Sequence, residues 1–398
     1  MFSETWLLAP FVQYVCSSVS LSWDLPPTIA RGGWLPWLGR VGGRGLVGCY
    51  TGVLAKMGFY ARYMGAWETR LANLDPHRTP HPFEWGLDWL GLPDEGGGEA
   101  SAGPALERFN RLQIGASDEF FAHTPPAAQA TLAGSTLSFP SQLTTPYSEN
   151  NTVWAEYYPS PKARGRAVLV LPQWNSDEQS HLGLCRLLQR LGLSSLRMSM
   201  PYHHRRKPLE TKRADYHVSA NLGRTIHATR QSVLDSRACL DWLERRGYTE
   251  LAILGTSLGS CVALLTVAHD RRIKSAVFNH VSMNFSDVVW TGMSCRHIRA
   301  SLEGHVTQER LRDYWRLISP SAYLPRLTDR APLANLLIWA GHDTTFRPEY
   351  SRQILAGFTG LGIPHSRFYL PCGHYTSAKP PFVWLDGFAM SRFLLATL

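Results

Sequence analysis

Between residues 166 and 373 short, continuously apolar runs recur, with stretches of helical spacing between them. The runs are "RAVLVLP" (166–172), "SSLRMSMP" (194–201), "LAILG" (251–255), "IKSAVFNHV" (273–281), "PLANLLIWAG" (332–341) and "SRFYLPCG" (366–373). A run that is apolar at nearly every position, rather than at alternate ones, belongs to a strand covered on both faces. Among the intervening stretches, "SHLGLCRLLQRLGL" (180–193), "SVLDSRACLDWLERRG" (232–247) and "SCVALLTVAHD" (260–270) have the three-and-four spacing of helices. This alternation predicts an α/β domain built of βαβ units, with a mostly parallel central sheet and helices on both faces. Upstream, "TLSFPS" and "TVWAEYYPS" read as short strands that open the domain near residue 131.

One strand-to-helix turn carries a chemical signal. The run 251–255 ends in Gly255-Thr256-Ser257-Leu258-Gly259, after which a helical pattern starts. A very tight turn of this kind needs small residues on either side of its apex, since side chains there would collide. The turn lifts a serine hydroxyl above the sheet, at a helix N-terminus whose free N–H groups favour developing negative charge. Serine is a weak nucleophile at neutral pH and needs a base, and the base needs a group to orient it. In chains with this turn the partners follow in the order acid, then histidine. Asp343 stands after the run 332–341 in Gly341-His342-Asp343, and His374 stands after the last run in Cys372-Gly373-His374-Tyr375. The topology therefore predicts Ser257, Asp343 and His374 on one edge of the sheet, with His342 and His365 as bystanders.

Outside this constellation the sequence limits the field. The formal net charge of +9 is spread along the chain, with a local cluster "HHRRKP" at 203–208, and no nucleic-acid-binding motif accompanies it. The seven cysteines are dispersed, with no CxxC pair and no zinc spacing. That pattern predicts buried free thiols in a reducing, cytoplasmic setting, and neither a metal nor a cofactor. The opening residues 1–20 are apolar but lack a basic start and contain Glu4, a poor match to a signal peptide, and no apolar run is long enough to span a membrane. Residues 1–130 read as a mainly helical extension packed on the catalytic domain at 131–398. Within the extension, Leu54, Met57, Tyr60, Ala61 and Met64 form an apolar helical stripe, and "PDEGGGEASAGP" (93–104) has a linker's composition. Residues 283–320 are too long for a simple crossover and read as a helical cap insertion, with Thr307 placed to cap one helix.

The motifs "GTSLG", "GHDTTFRP" and "CGHY" resemble the α/β-hydrolase superfamily over residues 131–398. Within it, "MPYHHRRKP" and the block ending in "LAILGTSLG" are similar to the α/β-hydrolase domain-containing protein 18 family. The resemblance implies a serine hydrolase that cleaves carboxylic esters through an acyl-enzyme. Its oxyanion hole would be formed by the backbone N–H groups of Leu258 and, in the loop Pro172-Gln173-Trp174-Asn175, of Trp174. Many members carry His-Gly where this chain has Pro172-Gln173, which puts the second donor in question. Candidate substrate contacts are Gln173, Tyr202, Phe285 and Trp290, together with Arg205 and Arg206 as a clamp for an anionic group; the alternative for the arginines is a solvated loop paired with nearby acids. The implied partner is a small-molecule or lipid ester. The same three residues would also serve an acyltransferase or a lipid acyl hydrolase. From a different class, a hydrolase fold without turnover could act as a binding module at a membrane surface through its N-terminal aromatics. The sequence leaves the oligomeric state open.

Overall fold

The computed structural model describes residues 43–398, apart from 94, 95, 97, 125–129 and 331, and describes residues 43–57 by their backbone alone. The opening segment and the Leu54 and Met57 side chains of the helical stripe lie outside the described residues. Residues 57–398 form one compact unit.

Among the described residues nine strands make a single sheet in the order β1-β2-β3-β5-β4-β6-β7-β8-β9. They are β1 (Thr131–Ala133), β2 (Thr136–Pro140), β3 (Thr152–Tyr158), β4 (Arg166–Leu171), β5 (Ser194–Met198), β6 (Glu250–Thr256), β7 (Ile273–Asn279), β8 (Ala334–Ala340) and β9 (Ser366–Leu370). β1, β2 and β3 pair antiparallel, β3 lies antiparallel to β5, and the six strands from β5 to β9 run parallel. Chain order reverses around β4, which lies between β5 and β6. In sheets of this kind that reversal opens a crevice at the strands' carboxyl ends, where ligands bind.

The apolar runs are continuous because the sheet is covered twice. Along β4, Ala167, Leu169 and Leu171 join one core cluster while Val168 and Val170 join the other, and β6 alternates in the same way. The first face is covered by α4 (Leu222–Arg245), α5 (Leu258–His269) and α9 (Pro348–Gly360); the second by α3 (Leu182–Arg190) and α10 (Phe382–Thr397). Residues from 60 to 67 of α1 (Gly43–Ala72) add Tyr60, Met64 and Trp67 to the second cluster. Each fully buried large aliphatic side chain contributes about 1.5–3 kcal/mol.

Two elements differ from expectation. α4 begins ten residues before the predicted 232, because Asn221 caps it by accepting from the Arg224 N–H (2.8 Å). Its polar first turns are then satisfied internally: Gln231 donates to Ser141 Oγ (3.0 Å), and Thr229 donates to the Thr225 carbonyl (2.9 Å). The linker-like stretch 93–104 is in part α2 (Glu99–Gly115), which includes Pro104. Packing overrides its composition. Asn110 donates to the Tyr314 carbonyl (3.0 Å) and accepts from the Leu317 N–H (2.8 Å), fastening α2 to the region after β7.

That region holds α6 (Phe285–Thr291), α7 (Arg296–Leu302) and α8 (Gln308–Tyr314), followed by short 3-10 turns to Leu327. Thr307 caps α8 by accepting from the Arg310 N–H (3.3 Å). Trp315, fully buried, donates its indole N–H to the Leu222 carbonyl (3.2 Å) and pins the insertion to the start of α4. Among the described residues no helix is long and apolar enough to cross a membrane.

Candidate active site

The carboxyl ends of β6 to β9 are joined by backbone bonds that continue the parallel ladder into the loops. The Ser257 N–H donates to the Asn279 carbonyl (2.8 Å), the His280 N–H to Ile338 (2.9 Å), and the His342 N–H to Cys372 (2.8 Å). Each loop is thereby tied to its neighbour before any side chain is considered. Ser257 sits at φ 57°, ψ −118°, a conformation a serine rarely adopts. The flanking glycines are sterically required: a Cβ on Gly255 would lie 2.1 Å from the Gly259 carbonyl oxygen, and one on Gly259 would lie 2.2 Å from that of Leu171.

This frame brings Ser257, Asp343 and His374 together. Ser257 Oγ is 3.3 Å from His374 Nε2, and His374 Nδ1 is 3.1 Å from Asp343 Oδ2. Asp343 Oδ1 accepts the N–H groups of Thr345 and Phe346, both at 2.7 Å, so the acid's own turn fixes its carboxylate. A carboxylate can only accept, so the proton of a neutral His374 is on Nδ1 and the lone pair of Nε2 faces the serine. Burial alone would raise the Asp343 pKa, but the charge and hydrogen bonds of His374 and His280 hold it well below the usual carboxylate range. The reciprocal effect on His374 is a raised pKa, against burial, through the charge and hydrogen bond of Asp343 and the charge of Glu68.

Two residues at this site were not singled out from the sequence. His280 Nδ1 lies 2.8 Å from the same Asp343 oxygen, and its ring meets the His374 ring at 5.0 Å. The signal for it was its place directly after β7, on the same edge as the other three. Glu68, in α1, accepts from the Thr376 N–H (2.7 Å), the Tyr375 N–H (3.1 Å) and the Thr344 hydroxyl (3.3 Å). No sequence pattern connects it to residues some three hundred positions later.

His280, Asp343 and His374 also form, among the described residues, the one His/Cys/Asp/Glu group compact enough to hold a metal ion, with ligand atoms within 4.8 Å of one another. Both imidazole Nδ1 atoms are already bonded to Asp343, an arrangement that holds protons.

Beside the serine is an apolar cavity of about 40 Å³ lined by Trp174, Leu258, Phe285, Val289, Cys295 and Phe346, among others. The N–H groups of Leu258, at the start of α5, and of Trp174 have no acceptor among the described residues. The Trp174 backbone is held through its side chain: the indole donates to the Ala214 carbonyl (3.0 Å), stacks on His297 (5.8 Å, 5° between planes) and carries the Arg213 guanidinium over its ring at 4.9 Å.

The remaining predicted contacts are placed differently. Phe285 lines the cavity, whereas Trp290 lines a separate surface groove with Arg296 and Arg347. Gln173 donates its amide N–H to Ser180 Oγ at 3.4 Å. Tyr202 is fully buried against Tyr147 and Tyr216. The anionic clamp is corrected at Arg206, which is fully buried, ion-paired with Asp235 (2.8 Å) and bonded to the Asn150 and Ser199 carbonyls, so that its guanidinium is closed off inside the core. Arg205 is exposed and lies over the Trp154 ring at 5.1 Å.

Comparison with known proteins agrees with this architecture. The family model described as alpha/beta hydrolase domain containing 18 matches residues 177–313. No curated protein sequence matches the chain. Among solved structures, an acetyl xylan esterase from a Paenibacillus species is similar at a TM-score of 0.52 and 16% identity, over 83% of this chain and 99% of that one. Acetyl xylan esterase 1 from a Thermoanaerobacterium species gives 0.51 and 12%, over 82% and 97%. An acylaminoacyl peptidase from Pyrococcus horikoshii gives 0.50 and 12%, over 62% and 40%. At such identities the likeness is one of fold. The chain has the α/β-hydrolase fold, and its residues 177–313 are similar to the α/β-hydrolase domain-containing 18 family.

Proposed function

We propose that this chain is a serine hydrolase that cleaves carboxylic esters through an acyl-enzyme on Ser257. The observation that carries the reading is the continuous contact from Ser257 Oγ through the His374 ring to Asp343, at 3.3 and 3.1 Å. His374 Nε2 takes the hydroxyl proton as Oγ bonds to the ester carbonyl carbon. Asp343 holds the ring's orientation and stabilises the imidazolium that forms. The oxyanion accepts from the Leu258 and Trp174 N–H groups, with the α5 N-terminus adding a favourable field. Collapse breaks the bond to the alcohol oxygen, which receives the proton from His374. Water, deprotonated by the same nitrogen, then attacks the acyl carbon and releases the acid, restoring Ser257.

Ester rather than amide chemistry is supported by analogy with the esterases that share the fold. The apolar cavity suits the hydrocarbon part of an acyl group. Phe285, Val288 and Val289 of α6 form part of its lining. Hydrolysis of p-nitrophenyl esters from acetate to palmitate, wild type beside Ser257→Ala, tests the reading. Turnover in the wild type and its loss in the variant are expected. Equal rates in the two proteins would remove Ser257 from the mechanism.

A further inference from the structure

The Glu68 carboxylate is fully buried, and no cationic side chain pairs with it among the described residues. A carboxylate in the interior is costly unless hydrogen bonds replace its water. Its partners are specific. Oε1 accepts from the Thr376 N–H, two residues beyond His374, and Oε2 accepts from the Tyr375 N–H, one residue beyond it. Oε2 also lies 3.3 Å from the hydroxyl of Thr344, the residue after Asp343. One carboxylate therefore joins the loop of the base to the loop of the acid. The fit is close: a Cβ on Gly373 would lie 2.2 Å from Glu68 Cδ, so the residue before His374 must be glycine for the carboxylate to enter. Around it, Tyr60, Met64 and Trp67 pack the same stretch of α1 onto the β9 side of the sheet, fixing where Glu68 enters.

We propose that Glu68 is a positioning residue for the hydrolytic centre, a strap from α1 that holds the His374 and Asp343 loops in register. The inference rests on the reading of Ser257, His374 and Asp343 as the reacting groups. It assigns the residues ahead of the hydrolase region a part in the chemistry. The titratable groups facing His374 are Asp343 and His280 from the strand ends, Tyr375 beside it and Glu68 from α1; Asp386 of α10 lies behind His280. Of these, Asp343 and Glu68 favour the imidazolium.

The test is the rate at which a fluorophosphonate labels Ser257 across pH, in wild type, Glu68→Gln, Glu68→Asp and Ser257→Ala. Glu68→Gln keeps the shape but removes the charge and turns an amide NH2 toward backbone donors. It is expected to label about 10- to 100-fold more slowly, since small misplacements of reacting groups cost that much. Its acid limb moves to lower pH, because less negative charge remains to stabilise the imidazolium. Glu68→Asp keeps the charge but cannot reach both loops; it labels more slowly with the limb at the wild-type position. A role confined to docking α1 would lower the melting temperature and leave the limb unmoved. Wild-type rate and limb in a folded Glu68→Gln overturn the proposal while leaving the hydrolase reading intact. An unlabelled wild type overturns both. Should Glu68→Gln not fold, Glu68→Asp decides: slower labelling supports the strap, and wild-type labelling overturns it.

Discussion

Ser257 holds its unusual backbone conformation because three things agree: the two close approaches at Gly255 and Gly259, its own N–H bond to Asn279, and the helix that starts directly after it. Gly259→Ala would drive a methyl group against the Leu171 carbonyl at 2.2 Å. We expect that variant to lose fluorophosphonate labelling, measured against Ser257→Ala as the zero. Asp343→Asn leaves the size unchanged but removes the charge and lets the ring take the wrong tautomer, and kcat should fall about 10⁴-fold. His374 must be neutral to act as a base, and its pKa is raised from 6.5, so the acid limb of kcat/KM should lie above pH 6.5. A limb at or below that value would contradict the role given to Asp343 and Glu68. At this scale much was legible: Ser257, Asp343 and His374 each stand within two residues of the end of an apolar run. His280 was hidden because its residue was read as the tail of a strand that ends at Asn279. Glu68 was hidden because its partners are distant in sequence and two of them are backbone.

Phe285 and Val289, one turn apart on α6, form one wall of the cavity. Phe285→Ala or Val289→Ala should move the p-nitrophenyl ester optimum to longer acyl chains, with kcat for acetate changed less than KM; an unchanged chain-length profile would place the acyl group elsewhere. The 203–207 loop shows why composition misled. Five consecutive basic residues read as a surface cluster, yet Arg206 turns inward to Asp235. Removing one partner of a buried ion pair leaves the other charge uncompensated and costs about 3–5 kcal/mol. Arg206→Met should therefore lower the denaturation midpoint sharply, while KM for neutral and anionic esters stays the same in the folded fraction. Helix boundaries were the least legible elements, because α2 and α4 begin in polar or glycine-rich sequence whose hydrogen bonds are closed by residues far along the chain.

Across the whole molecule, burial of charge sets the response to pH. Asp343 has a lowered pKa when folded, so its contribution is present above the unfolded carboxylate value and is lost as pH falls below it. Asp386 does the opposite. Burial, opposed by His280 and by the Asn279 hydrogen bond, pushes its pKa from 3.8 up to about 6. The folded chain then binds a proton that the unfolded chain has released, and stability contributed at this site falls as pH rises from about 4 to about 6. Asp386→Asn should melt higher than wild type above pH 6 and at the same temperature near pH 4; an identical pH profile for the two proteins would refute the shift. The parallel sheet itself was legible because burial on both faces leaves its mark at every strand position. Activation of Ser257 as the nucleophile by His374 is tested by mapping the site of fluorophosphonate attachment by mass spectrometry. One adduct is expected, on the peptide containing Ser257, absent from both Ser257→Ala and His374→Ala. An adduct that persists in Ser257→Ala, or ester hydrolysis that continues in its absence, would contradict it.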